Sequence, residues 1–377
     1  MMDGKAFREL ISGKRRGISA SMTRLLLECA ELPYTAIVGI RNLAYDYPLG
    51  LTTFPAVPAI SVGNMTLGGT GKTPLVAWIA ERLSGRGLHV GLISRGYGGK
   101  TTENIGDGTA CWHALNDEGK ELALRLPNVP HLQNADRIAA ARALLENSRI
   151  DCLILDDAFQ HRRIGRNLDI VLIDALEPFG FDHVFPRGTL REPLAGLKRA
   201  DIVLLSRADQ VDGDERRRIR KYVRRFAPEA HWGEIVHRPE CLLGLVANPT
   251  SPSGNPCSSN TLREPFLQEP LENLRETTVF AFCGIGNPDG FRRTLESCGT
   301  RIAAFQTYPD HHRFTDADMR ELVRAAEHAG AEIIVCTVKD AVKIMRDRLG
   351  PLPLRAVSIG IGFLEGEEET CRQMDIL

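Results

Sequence analysis

Gly68-Gly69-Thr70-Gly71-Lys72-Thr73 sets a glycine-rich loop between an apolar run, Ala59-Ile60-Ser61-Val62, and an amphipathic stretch that starts at Lys72. A phosphate cradle needs that order. Backbone N–H groups of the loop and of the following helix N-terminus point at an anion, Lys72 would neutralise β- and γ-phosphate charge, and the Thr73 hydroxyl would ligate Mg2+. The general G-x-x-x-x-G-K-[ST] spacing asks for glycine where Thr66 stands. A purely structural turn is the competing reading, and Gly-Lys-Thr between strand and helix weighs against it. A second set follows in Leu153-Ile154-Leu155-Asp156-Asp157, an apolar strand ending in two carboxylates that could hold Mg2+ directly or through water. Adjacent strand residues face opposite ways, so one acid would meet the metal and the other would support it.

Arginines gather in loops behind strand ends: Phe159-Gln160-His161-Arg162-Arg163, Arg187-Gly188-Thr189-Leu190-Arg191-Glu192-Pro193 and Ser94-Arg95-Gly96-Tyr97-Gly98-Gly99. A guanidinium fork matches phosphoryl oxygens, and Arg95, Arg137 and Arg191 are candidates to stabilise charge on a transferring phosphoryl group. Each alone reads as a solvated surface charge; the case rests on their clustering around one crevice.

The elements that must carry these loops read as a parallel sheet with crossover helices. The helix after Lys72 aligns Leu75, Val76, Ile79, Ala80 and Leu83 on one face. Further short apolar strands are expected at 89–94, 152–155, 170–173 and 202–205, each ending at a polar residue where α/β folds place ligands. Composition shifts to Pro, Ser, Asn and Gly between Asn248 and Pro270, and beyond it strands at 278–283 and 332–336 flank helical stretches at 288–298 and 316–329. The fold expected is α/β: a P-loop NTPase-like parallel sheet with helices on both faces, plus a second, smaller α/β domain. The segments expected are an N-terminal amphipathic, membrane-associated stretch (1–40), a P-loop kinase core (41–240), a linker with a Pro/Ser-rich excursion (241–276) and a C-terminal α/β domain (277–377).

With 377 residues, 43% apolar and 25% charged, the chain can bury cores for two domains. A formal net charge of -1 gives no electrostatic support to a nucleic-acid partner. Nine cysteines without a C-x-x-C pair read as free thiols in a reducing compartment. No cleavable leader is expected after Lys14-Arg15-Arg16, and Glu28, Glu31 and Pro33 interrupt the apolar stretch too soon for a bilayer crossing. Ile18, Met22, Leu25, Leu26 and Cys29 nevertheless recur at helical spacing beside Lys14, Arg15, Arg16 and Arg24. A helix lying in an anionic interface and a helix packed on its own domain both satisfy that pattern.

Taken in order, several blocks resemble the tetraacyldisaccharide 4'-kinase family of lipid A synthesis. They are Ser61-Val62-Gly63-Asn64-Met65-Thr66-Leu67, Leu92-Ile93-Ser94-Arg95-Gly96-Tyr97, Asp156-Asp157-Ala158-Phe159-Gln160-His161-Arg162-Arg163 and Leu190-Arg191-Glu192-Pro193. Phe282-Cys283-Gly284-Ile285-Gly286-Asn287-Pro288, Tyr308-Pro309-Asp310-His311-His312 and Thr337-Val338-Lys339-Asp340-Ala341 continue the series, and Arg41-Asn42 with Tyr45-Asp46 fits its beginning. The family's asparagine at Asn64 accounts for the unusual loop entry. The resemblance implies ATP and Mg2+ as cofactors and transfer of the γ-phosphate to the 4'-hydroxyl of a lipid-linked glucosamine disaccharide. It places the protein peripherally on the cytoplasmic face of the inner membrane. It also implies a catalytic Asp-His pair, Asp117 from Asn116-Asp117-Glu118 and His311, acting with Lys72 and Arg191. Glu118 joins Thr73, Asp156 and Asp157 as a metal candidate, and Asn64, Arg95, Arg137, Gln160 and His161 are the substrate-binding candidates. From the residues alone Asp117 reads as a helix cap and His311 as a turn histidine. Asn116 and Gly119 depart from the family pattern, which has glycine at the first position and commonly Pro or Ala at the second, as do Ala158, where the family has glycine, and Val338, where glutamate is frequent.

Two other functions fit parts of the chain. Leu205-Ser206-Arg207-Ala208-Asp209 faintly echoes the guanine-reading motif, which would suit a GTP-dependent P-loop switch or metallochaperone; no His- or Cys-rich metal tract supports it. A non-catalytic nucleotide-binding module would lose nothing when Asp117 and His311 are replaced.

Overall fold

The computed structural model describes residues 4–47, 49–96, 115–245 and 266–376; Tyr97-Gly98-Gly99 and the excursion at 248–256 lie outside the described residues. In chain order, α1 (Gly4–Ile11) and α2 (Ile18–Asp46) precede β1 (Ala59–Asn64), α3 (Lys72–Gly85), β2 (Val90–Ser94), α4 (Asp117–Arg125) and β3 (His131–Gln133). Then follow α5 (Arg137–Asn147), β4 (Cys152–Asp156), β5 (Leu168–Asp174), β6 (Ile202–Ser206), α6 (Gly213–Val223) and β7 (His231–Leu245). The later part holds β8 (Phe266–Glu269), β9 (Thr278–Cys283), α7 (Pro288–Ser297), β10 (Arg301–Thr307), α8 (Asp316–His328) and β11 (Ile333–Thr337). It closes with α9 (Val338–Ile344), β12 (Arg348–Leu349), β13 (Leu352–Glu365) and α10 (Glu367–Asp375).

The apolar runs fold as expected: β1, β4 and β6 are buried along their whole length, which is why they read as continuous rather than alternating hydrophobic stretches. Two compact units result, and neither is continuous in sequence. One comprises residues 1–72, 152–236 and 362–377, the other 73–151 and 237–361. The segments expected from composition are divided differently, because parallel strands pair through crossovers and not through neighbourhood in the chain. Stretch 241–276, expected as a linker, contains paired strands: Leu242–Leu245 of β7 run antiparallel to β8.

In the first unit β7, β6, β5, β1 and β4 lie side by side in that order, and all pairs are parallel. Val62 of β1 pairs with Asp156 of β4, so the register brings the strand that feeds the glycine loop beside the strand that ends in the acid pair. Met65, Phe159, Val171, Leu197 and Leu205 fill the core beneath. Helix α2 runs through Pro33 despite the backbone bond that proline forfeits. Polar side chains on one face tie it down: Glu31 accepts from the Val184 amide at 2.6 Å and Glu28 pairs with Arg187 at 3.0 Å. Ile18, Met22, Leu25, Leu26, Leu32 and Ile37 are exposed, so the apolar spacing does not mark a face packed on the chain's own core. No helix among the described residues is long and apolar enough to cross a membrane.

In the second unit β2 pairs with β3, while β10, β9, β11 and β13 form a parallel set over a core of Phe280, Phe282, Leu322 and Ile334. Helix α4 packs against α9. Asn116 caps α4 and Thr315 with Asp318 closes a capping box on α8, which fixes where these helices begin.

Candidate active site

Lys72 is the first residue of α3, held there by the turn that Gly68 (φ 124) and Gly71 (φ 84) make possible; both angles lie where a side chain would strain the backbone. Its Nζ stands 3.4 Å from Asp157 Oδ1 and donates to Asn64 Oδ1 at 3.4 Å. Asn64, fully buried, also donates to the Thr66 carbonyl at 2.8 Å, so its amide braces the loop entry from inside. Arg191 completes the group. Its NH1 reaches both Asp157 oxygens at 2.9 Å, and its Nε donates to the Thr66 carbonyl at 3.2 Å.

The two acids separate as strand geometry requires. Asp156 ends β4 with its side chain buried, whereas Asp157 leaves the strand in the left-handed region (φ 52) and turns its carboxylate onto the two cations. Burial by itself would raise the Asp157 pKa, but Lys72 and Arg191 outweigh it and hold the group at about 2. Asp157 therefore occupies the place of an anion between a lysine and an arginine.

Gln160 spends its amide on the Asn64 carbonyl at 3.0 Å and on Glu192 at 3.1 Å. Glu192, wholly buried, also takes Asn42 Nδ2 and Arg199 NH2, each at 2.7 Å. This buried carboxylate links α2 to the phosphate loop, and the sequence offered no signal for it beyond its place in the Leu-Arg-Glu-Pro block. Arg207 was missed in the same way. One nitrogen donates to the Gly69 carbonyl at 2.9 Å and another pairs with Asp174, so the residue that echoed a guanine reader braces the phosphate loop instead. Its position just past the end of β6 was the available clue.

Thr70 Oγ1 and Ser61 Oγ are buried without a protein hydrogen-bond partner. A buried hydroxyl on the glycine loop, such as that of Thr70, fits a site that receives phosphate oxygens or a hydrated ion. Among the described residues no three His, Cys, Asp or Glu side chains gather as a metal cage. Mg2+ characteristically takes one or two carboxylates and completes its shell with phosphate and water, so Asp156 and Asp157 fit an ion that arrives with a nucleotide. Glu118 is exposed on the first turn of α4 and joins no preformed cluster.

In the second unit Asp117, the first residue of α4, faces His311 with Oδ2 3.6 Å from Nδ1. His311 sits in the left-handed region at φ 60, its backbone N–H held by Asp310 at 3.0 Å. On its other side Lys339 of α9 donates to Asp310 at 3.0 Å and lies 3.5 Å from His311 Nε2. The His311 imidazole, helped by Lys343 and Lys339, lowers the Asp117 pKa against the opposing effect of burial. Asp117 in turn raises that of His311, with burial and Lys339 opposing. The structure thus joins two residues 194 positions apart in sequence, Asp117 and His311. Of the remaining candidates, Arg95 is exposed after β2, Arg137 is buried at the start of α5, and His161 is half-buried in the turn after the acid pair.

The family described as LpxK, tetraacyldisaccharide-1-P 4'-kinase, matches residues 23–373. The chain belongs to this tetraacyldisaccharide-1-P 4'-kinase family. The tetraacyldisaccharide 4'-kinase of Anaeromyxobacter dehalogenans (strain 2CP-C) is 36% identical over 369 residues, covering 97% of this chain and 91% of that protein. That of Syntrophus aciditrophicus (strain SB) is 36% identical over 342 residues, covering 89% and 88%. Among solved structures, apo-form LpxK from Aquifex aeolicus in complex with ATP aligns with a TM-score of 0.70 at 26% identity, over 94% of this chain and 99% of that one. Membership in the 4'-kinase family makes the chain a phosphotransferase, and the α/β, P-loop-type architecture read from the sequence is the one observed.

Proposed function

We propose that the protein transfers the γ-phosphate of ATP to the 4'-hydroxyl of a tetraacylated glucosamine disaccharide 1-phosphate, at the cytoplasmic face of the inner membrane. The observation that carries this reading is the Lys72–Asp157–Arg191 group at the mouth of the glycine loop. Two cations share one carboxylate there, and incoming phosphate oxygens replace that carboxylate with little reorganisation of the cations. The loop amides around Gly71 and the α3 N-terminus hold the β- and γ-phosphates, and Arg207 and Asn64 keep the loop in shape. Mg2+ held by Asp156, Asp157 and Thr73 would neutralise charge on the β- and γ-oxygens. Arg191 follows the transferring phosphoryl group. Asp117 accepts the hydroxyl proton, and His311 beside it orients the carboxylate and balances its charge. The roles of Arg95, Arg137, Gln160, His161 and Glu118 in holding substrate or metal are part of this proposal, with Gln160 acting through the backbone at Asn64.

The exposed apolar face of α2, anchored beneath by Glu28, Glu31 and Asn42, suits a helix lying in a lipid interface where an acylated substrate resides. Nothing in the charge balance calls for nucleic acid.

The deciding experiment supplies γ-labelled ATP or GTP with a tetraacyl disaccharide 1-phosphate in anionic vesicles and maps the label. Transfer from ATP to the glucosamine 4'-oxygen is expected. GTP hydrolysis without transfer to the disaccharide would support the switch or metallochaperone reading instead.

A further inference from the structure

Asp117 can serve as a base only if α4 begins at a fixed place and in a fixed direction, and the second unit contains a polar network that sets both. Asn116, immediately before Asp117, accepts the Gly119 amide on its Oδ1 at 2.8 Å and so closes the first turn of α4. The cap is gripped from behind by Gln133, the last residue of β3. Gln133 Oε1 accepts the Asn116 backbone N–H at 2.9 Å, and Gln133 Nε2 donates to Asn116 Oδ1 at 2.9 Å. The same Nε2 donates to Ser94 Oγ at 2.9 Å, and Ser94 Oγ meets His131 Nε2 at 2.7 Å. Ser94 and Gln133 are paired residues of β2 and β3, so the network is rooted in the sheet. Ser94, His131 and Gln133 are all buried, and burial keeps His131 neutral with a pKa of about 4, so the network carries no charge of its own near neutral pH.

The fit is close. A Cβ placed on Gly119 would stand 2.5 Å from Gln133 Nε2 and 2.8 Å from its Cδ. Asn116 and Gly119 work together: asparagine supplies the oxygen that Gln133 and the helix amide share, and glycine leaves room for the Gln133 amide.

We infer that Gln133 is a positioning residue for phosphoryl transfer, which locks the Asn116 cap and thereby aims the Asp117 carboxylate. It touches neither nucleotide nor acceptor and acts through Asp117. The inference rests on the reading of Asp117 as the base under Proposed function. A displacement of a reacting group by about 1 Å costs on the order of 100-fold in rate, so removing the grip should appear in kcat.

The test is a kinetic cycle of Gln133→Ala, Asp117→Asn and their combination in the full chain, with kcat and the KM for ATP measured separately. Gln133→Ala is expected to lower kcat by about 10- to 100-fold with the KM for ATP unchanged, and to cost nothing further once Asp117 is asparagine. An equal loss in both backgrounds, or no loss in the parent, overturns the inference. An Asp117→Asn variant of full activity overturns the base assignment on which it rests, a result distinct from the first. Gly119→Ala guards against a general folding effect. It should depress kcat in the parent, where it meets Gln133, and add no loss in Gln133→Ala, where the space is open; additive losses count against the proposal.

Discussion

Lys72, Asp157, Arg191 and Asn64 form a closed group, joined by contacts of 2.9 to 3.4 Å, in which one carboxylate serves both cations. Asp117 and His311 meet at 3.6 Å, with the His311 side chain more than half exposed and its backbone in the left-handed region. The two regions face different physical problems. A pocket for several phosphate charges must concentrate cations, and cations at that density need an internal anion until the ligand arrives. On the proposed reading of Asp117 as proton acceptor, it needs direction and a free approach: it stands on a helix N-terminus behind the Asn116 cap, with the half-exposed His311 as its ion-pair partner. The teaching is that charge is pre-organised in one region and geometry in the other.

Exchanging one residue on each side breaks the comparison most sharply. Asp117→Asn should reduce kcat by roughly 10²- to 10⁴-fold and leave the dissociation constant for ATP unchanged. Lys72→Ala should reduce kcat/KM by roughly 10²- to 10³-fold and weaken ATP binding as well; steady-state kinetics with equilibrium nucleotide binding reads both splits. If the two variants lose the same parameter, the division of labour is wrong.

A middle-sized effect concerns acid. Asp157 has a folded-state pKa of about 2 against an ordinary 3.8, so it binds its proton less readily when folded. Its contribution to stability is therefore complete above the unfolded value and lost as pH falls through the folded one, between about pH 4 and pH 2, and is worth about 2 kcal/mol. Denaturant titrations of the nucleotide-free protein across that window should show the loss, and Asp157→Asn should flatten it. Asp117→Ala should leave this step in place, because Asp157 draws its shift from Lys72 and Arg191 and not from the Asp117–His311 pair.

The smallest effect tests the loop brace. Arg207→Ala removes the hydrogen bond to the Gly69 carbonyl, worth about 1 kcal/mol, and should raise the KM for ATP by several-fold with little change in kcat. A change in kcat alone would move Arg207 out of the phosphate region.

Much of this was legible from residue order. Gly68 to Thr73 between an apolar strand and an amphipathic helix, and Asp156-Asp157 at a strand end, announce themselves because local geometry dictates both the spacing and the residue types. Asp117 and His311 were reached only through family resemblance, since a cap-like aspartate and a turn histidine carry no local mark of chemistry. Gln133, Glu192 and Lys339 gave no sign of their partners, which come from elements distant in the chain. The apolar face of α2 was visible as a helical repeat, but two placements satisfied it; the contacts of Glu28, Glu31 and Asn42 show which face turns toward the core.

By itself the amino-acid order determined the parallel α/β class, the phosphate loop and the acid pair, because hydrophobic runs, glycine at positive φ and helix starts are short-range consequences of residue type. Tertiary structure decided how those parts are used. It put Asp157 between two cations, turned Arg207 onto the loop, brought His311 to Asp117 and set Gln133 behind the α4 cap, since such pairings depend on strand register and helix packing and so on contacts between residues far apart in the chain.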